Sequence, residues 1–261
     1  MGFRLCVINP NSDEAVTSHL RDVALGVLPP GSEVEAVTCA SSPRVIETST
    51  DDVLASVAVL QAALAASSSD AFFVGCFGDP AISALREVTR APVVGLGEAA
   101  LVQARTVTSR FGVLTTLDRG VPSLWSQLER AGAASQCVGI RAVHPPTRLT
   151  VADPREEVAD PEGETAEPED DTAEPEGDIV ARRLAEQGRE LVGSGADGLV
   201  LACAAFSPCS AALSLALDIP VCDGVALGAC ISYGLWASGV WTSKSGAYAW
   251  SDAAWASPNP S

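Results

Sequence analysis

A chain of 261 residues, 47% hydrophobic and 19% charged, is long enough to bury a full core and to divide into a compact pair of domains. Its 33 Asp and Glu against 16 Lys and Arg give a formal charge of −17, but thirteen of those acids and a single base, Arg155, lie between Asp153 and Asp178, leaving −12 there and −5 elsewhere. Neither part offers phosphates a positive field, which excludes nucleic acid as a partner.

Residues 3 to 8, FRLCVI, read as a buried strand running into the turn Asn9-Pro10-Asn11-Ser12, with Asn11 or Ser12 as the natural cap of a helix from about Asp13. A second strand is expected over Glu33 to Cys39, a helix over about Asp51 to Ser67, a third strand over Ala71 to Cys76 and a helix over Pro80 to Arg90. Asp79 is placed to cap that last helix, with Pro80 at its first position. Pro92 to Gly95 is a short fourth strand opening into another helix. This β-α-β-α succession, with right-handed crossovers, makes the sheet parallel.

A second round follows, with a strand over Phe111 to Thr116, a helix over Val121 to Ala131 and a strand over Cys137 to Val143. The acidic segment 153–178 then interrupts, with TAEPE at 165–169 repeated at 172–176. Sequence so rich in Pro and Glu cannot bury enough surface to offset its ordering, so a disordered insertion is expected. Helix resumes over Ile179 to Ser194, Asp197 to Cys203 is the next strand, Ser207-Pro208 starts a helix, and Pro220 to Cys222 is a short last strand. The uncharged stretch Gly224 to Ser243 approaches a membrane span in length, but its four glycines and preceding strand favour a buried helix and no membrane.

The two rounds form an internal repeat, each opening with a strand that ends in small polar groups and later reaching a strand that ends in a cysteine, Cys76 or Cys203. The expected fold class is α/β, with two pseudo-symmetric domains, each a mainly parallel sheet flanked by helices, and an active site in the cleft between them. Opposed thiols suit proton transfer at a stereocentre, where an acid and a base must stand on opposite sides of a planar intermediate. Helix N-terminal amides are expected to draw one thiol from its usual pKa of ~8.5 towards neutrality. Backbone N–H groups after each cysteine and the loops Asn9 to Ser12 and Thr115 to Thr116 are candidates for stabilising an enolate.

The other cysteines, Cys6, Cys39, Cys137, Cys209, Cys222 and Cys230, read as small buried hydrophobes. The only histidines, His19 and His144, are poorly placed for a metal site or a nucleophile–histidine pair, and no Cys-x-x-Cys is present. Singly placed cysteines and a start, MGFRLCVINPNS, that is already a strand point to a reduced, cytoplasmic chain without a signal peptide. One rival reading is a dinucleotide site at Gly95-Leu96-Gly97, with Asp118 about 20 residues on, although Glu98 would stand where a pyrophosphate must sit. Another is a small-acid-binding sensor that kept the cleft without turnover.

INPNS at 8–12, GCFGDP at 75–80, VVGLGEAA at 93–100, VLTTLDRGVP at 113–122, CDGVALG at 222–228 and TSKSGAYA at 242–249 together resemble the hydantoin racemase branch of the aspartate/glutamate racemase superfamily. The resemblance implies a cofactor-independent isomerase, with one catalytic cysteine from each domain at Cys76 and Cys203, assembled as a homo-oligomer. It divides the chain into 1–97 plus 222–249, then 98–221 carrying the insertion, then a tail, 250–261. Phe77-Gly78 and Ala204-Ala205 stand where amino-acid racemases of the superfamily hold Asn-Thr for a carboxylate. A neutral cyclic ureide, a 5-monosubstituted hydantoin, is therefore favoured, with allantoin or an amino acid as alternatives. The expected substrate contacts are Asn9, Asn11, Phe77, Gly78, Thr115, Thr116, Ala204 and Ala205.

Overall fold

The computed structural model describes residues 2–145 and 176–250. Its first round is β1 (Arg4–Asn9), α1 (Glu14–Val27), β2 (Glu33–Thr38), α2 (Ser49–Ala65), β3 (Ala71–Val74), α3 (Ile82–Val88) and β4 (Val93–Gly95). The second is α4 (Leu96–Val107), β5 (Phe111–Thr115), α5 (Val121–Arg130), β6 (Cys137–Ala142), α6 (Glu176–Gly193), β7 (Gly198–Leu201), α7 (Ser210–Leu217) and β8 (Val221–Cys222). A last helix, α8 (Val225–Ala237), follows.

The strands form two parallel sheets, β2-β1-β3-β4 and β6-β5-β7-β8. The same strand order twice is the structural form of the sequence repeat. β3 and β7 are buried along their whole length, as the central strands of sheets covered on both faces must be. Alternation then sorts their side chains. Val7 and Phe73 face a core that continues through α4 and α8 to Phe111, Val113 and Val200, whereas Cys6, Ile8, Phe72 and Val74 face the opposite side. Leu114, Leu199 and Leu201 do the same beneath α6 and α7.

Register places the carboxyl ends of the inner strands level with each other. Ile8 pairs with Val74, and Leu114 pairs with Leu201. The ladders close in matching fashion, the Gly75 N–H donating to Ile8 O at 2.9 Å and the Ala202 N–H donating to Leu114 O at 2.8 Å. Asn9 and Cys76 therefore share one sheet edge, and Thr115 and Cys203 the equivalent edge of the other.

After β8 the chain returns to the first sheet, where α8 packs on α1, α4, β3 and β4. Gly228 permits that seat, since a β-carbon there would stand 2.2 Å from the Phe73 ring. At 13 residues α8 is about 20 Å long, short of the ~30 Å hydrocarbon core of a bilayer. Among the described residues no helix is long and apolar enough to cross a membrane.

Three local expectations change. Asp13, rather than Asn11 or Ser12, caps α1, accepting from the Ala15 N–H at 3.0 Å, while Asn11 supports it by accepting from the Asp13 N–H at 2.9 Å. α3 begins at Ile82, after two residues in the left-handed region, Asp79 at φ 53° and Ala81 at φ 62°. α6 begins at Glu176, so the last three residues of the acidic segment join a helix, the Asp178 carboxylate suiting its N-terminal dipole. The expected insertion from 153 to 175, and the tail from 251, lie outside the described residues.

Candidate active site

Each cysteine sits in the same small turn. The Cys76 carbonyl accepts from the Asp79 N–H and the Cys203 carbonyl from the Phe206 N–H, both at 3.0 Å. In both turns the N–H two residues on, from Gly78 or Ala205, turns back to the sulfur, and Phe206 adds a second donor at Cys203. The Cys203 thiol lies close enough to act electrostatically on Cys76. All eight cysteines are unbridged, and these two are half-buried.

The expected lowering of a thiol pKa is not found. Burial pushes Cys76 up to about 12, with Cys203, Asp79 and Asp52 adding to the rise against the Gly78 N–H. Burial likewise pushes Cys203 up to about 11, with Glu47 adding to it against the Ala205 and Phe206 N–H groups. Loss of water around a thiolate outweighs the few amides aimed at it.

Each cysteine loop is tied to a place where the chain crosses between the sheets. Asp79 does not cap its own helix. Its carboxylate accepts from the Gly97 and Glu98 N–H groups, both at 2.8 Å, and so caps α4 from 18 residues away. Gln127 of α5 donates to Asp79 at 3.2 Å and also to the Phe77 carbonyl. On the other side the Ser207 hydroxyl donates to Asp223 Oδ2 at 2.8 Å, and Asp223 Oδ1 accepts from the Val225 N–H at the start of α8. Ser207-Pro208 lies within a 3-10 turn, Ala204–Cys209, instead of opening an α-helix.

The dinucleotide reading fails at the start of α4. Its first free N–H groups are already taken by Asp79, and a β-carbon on Gly97 would stand 2.2 Å from Phe77 O, so backbone fills the space a pyrophosphate needs. A nearby cavity of about 340 Å³, lined by Gly78, Asp79, Arg86, Glu98, Gln127 and Arg130, reaches neither sulfur.

Burial pushes the Asp79 carboxyl up to about 8, helped by Glu98 and opposed by the Gly97, Glu98 and Gln127 donors. Between the unfolded value of ~3.9 and that figure, the folded protein holds a proton that the unfolded chain has released, so this group's contribution to stability is lost as pH rises through the window. In Asp79→Asn the dependence should vanish. The wild type's stability margin over the variant, measured by urea unfolding, is expected to shrink from pH 5 to pH 8; a constant margin would contradict the shift.

The other expected contacts divide. Asn9 is fully buried, and its amide donates to Asn11 Oδ1 at 2.7 Å, Asp13 O at 2.8 Å and Thr17 Oγ1 at 3.0 Å, so it holds the turn and leaves Asn11 as the half-exposed member. Phe77, at 2% exposure, is a core side chain whose carbonyl accepts from Gln127, which leaves its backbone N–H as the group it can offer a ligand. Thr115 is buried and Thr116 half-buried at the end of β5. Ala204 and Ala205 lie in the turn after Cys203.

Two carboxylates escaped the sequence reading. Glu47 acts on Cys203 and Asp52 on Cys76, both from the segment that opens α2. The run Thr48-Ser-Thr-Asp-Asp announces a helix start, and Thr48 with Asp51 does form a capping box, which accounts for the sequence without pointing to a site.

The sequence profile of the Asp/Glu/Hydantoin racemase family matches residues 5–230. The chain belongs to this family. Hydantoin racemase of Rhizobium meliloti is 32% identical over 248 residues, covering 94% of this chain and 93% of that protein. Hydantoin racemase of Paenarthrobacter aurescens is 31% identical over 250 residues, covering 94% and 96%. Among solved structures, allantoin racemase from Klebsiella pneumoniae superposes with a TM-score of 0.81 at 29% identity, covering 97% of this chain and 95% of that one. As a member of the family the protein is an isomerase of the racemase type.

Proposed function

We propose that this protein racemises 5-monosubstituted hydantoins without a cofactor, Cys76 and Cys203 exchanging the hydrogen at C5 from opposite faces. The observation that carries the reading is the pair of equivalent cysteine turns, near enough for one sulfur to act on the other. Two interacting thiols resist double ionisation, so ionisation of the pair gives one thiolate beside one thiol. That is the state two-base racemisation requires, and its two protonation isomers serve the two enantiomers.

Roles for the neighbours follow from their bonds. The Gly78 and Ala205 N–H groups stabilise whichever sulfur is ionised. The N–H groups of Phe77 and Ala204, one residue past each sulfur, have no acceptor among the described residues, and we assign them to the enolate oxygen. Asn11, held by Asn9, and the hydroxyls of Thr115 and Thr116 complete the polar rim. Residues 1–97 with 222–249 form one domain and 98–221 the other. Likeness to an allantoin racemase structure makes allantoin, itself a 5-substituted hydantoin, the second substrate to try.

The test is to incubate one enantiomer of 5-benzylhydantoin, and separately of allantoin, with the purified chain in deuterated buffer. Loss of optical rotation with deuterium entering at C5, and no cofactor added, is the expected result. Stable rotation and no exchange with any 5-substituted hydantoin would favour a ureide-binding sensor.

A further inference from the structure

The segment that opens α2 brings one unpaired carboxylate to the Cys76 side of the cleft. A carbon built on Gly78 would stand 3.8 Å from Asp52 Oδ1 and 4.0 Å from Cys76 Sγ, so sulfur and carboxylate border the same small space. Asp52 is half-buried, yet among the described residues its side chain accepts no hydrogen bond and makes no ion pair within 4 Å. Its charged neighbours differ from it. Asp51 is bonded to the Glu47 and Thr48 N–H groups, Glu47 is paired with Arg119 at 3.9 Å, and Asp79 is capping α4. Arg130 acts on Asp52 only at longer range.

A half-buried carboxylate to which no protein group donates keeps its acceptor capacity for a ligand. Cyclic ureides carry ring N–H groups beside the reacting carbon, and a carboxylate is an acceptor only. From this, resting on the racemase reading above, we infer that Asp52 accepts a ring N–H of the substrate and so orients the ring against Cys76. The contact makes Asp52 a positioning residue that selects for unsubstituted ureide nitrogen.

The test compares 5-benzylhydantoin with its N1-methyl and N3-methyl derivatives on wild type, Asp52→Leu and Asp52→Asn. For the wild type, methylation of the engaged nitrogen is expected to cost roughly 10- to 100-fold in kcat/KM, the usual scale for a hydrogen bond to a charged group. Asp52→Leu should lose a similar factor on the parent hydantoin, chiefly through KM, and show no further loss on methylation. Asp52→Asn, which keeps shape and one neutral acceptor, should recover part of the discrimination. If methylation costs Asp52→Leu and Asp52→Asn as much as it costs wild type, or if both variants keep the wild-type KM, the inference falls. Calorimetric binding of the same compounds separates it from the reading beneath it. Should wild type bind without turnover, racemisation fails, while a methyl penalty seen in wild type and absent in Asp52→Leu still upholds the contact. No binding at all overturns both.

Discussion

Cys76→Ser and Cys203→Ser are each expected to lower racemisation by roughly 100- to 10,000-fold, the usual contribution of a positioned acid or base. Serine keeps the size and the hydrogen-bonding of the turn, so the Gly78 or Ala205 N–H still finds an acceptor and folding should be spared. What it loses is acidity and softness. A hydroxyl cannot become the base near neutral pH, and without one wall the proton has no route to the second face. Circular dichroism and the unfolding midpoint are expected to stay near wild type. Full turnover of both enantiomers in either variant would remove that cysteine from the reaction.

The second large effect is on pH. Burial holds Cys203 at about 11 and Cys76 at about 12, so near pH 7 only about one pair in ten thousand carries a thiolate. In the proposed mechanism the reactive form has one sulfur ionised and the other protonated, and its population grows about tenfold per pH unit until the lower value is reached. In the free enzyme kcat/KM should therefore climb about a thousandfold from pH 7 to pH 10, without a plateau, and fall only beyond about 12 where both thiols ionise. A bell centred near pH 7, or a flat profile from pH 7 to 9, would show that amides lower the thiols more than burial raises them.

What the sequence made legible follows from the range of the forces involved. Buried parallel strands such as AFFV and GLVL announce themselves because both faces need apolar residues, and the strand-ending cysteines stand out because the pattern occurs twice. Caps were less legible. Asp79 obeys every local rule for capping the helix that follows it, yet its carboxylate serves α4, since a left-handed backbone at Asp79 and Ala81 delays α3 to Ile82. Asn9 stands in a strand-end turn of the kind that meets ligands, and its partners Asp13 and Thr17, four and eight residues on, become visible only once α1 is in place. Thiol acidity could not be read either. The amides that lower it are local, whereas the burial that raises it comes from elements distant in the chain. Asp52 was hidden for the related reason that its place beside Gly78 is set by how α2 meets the loop after β3.

The proposal that the two sulfurs stand on opposite faces of C5 is tested most directly by following hydrogen washout from each enantiomer separately in the two serine variants. Cys76→Ser is predicted to exchange the C5 hydrogen of one hand of 5-benzylhydantoin and leave the other untouched, with Cys203→Ser showing the reverse preference. Both variants exchanging the same hand, or each exchanging both hands equally, would contradict it.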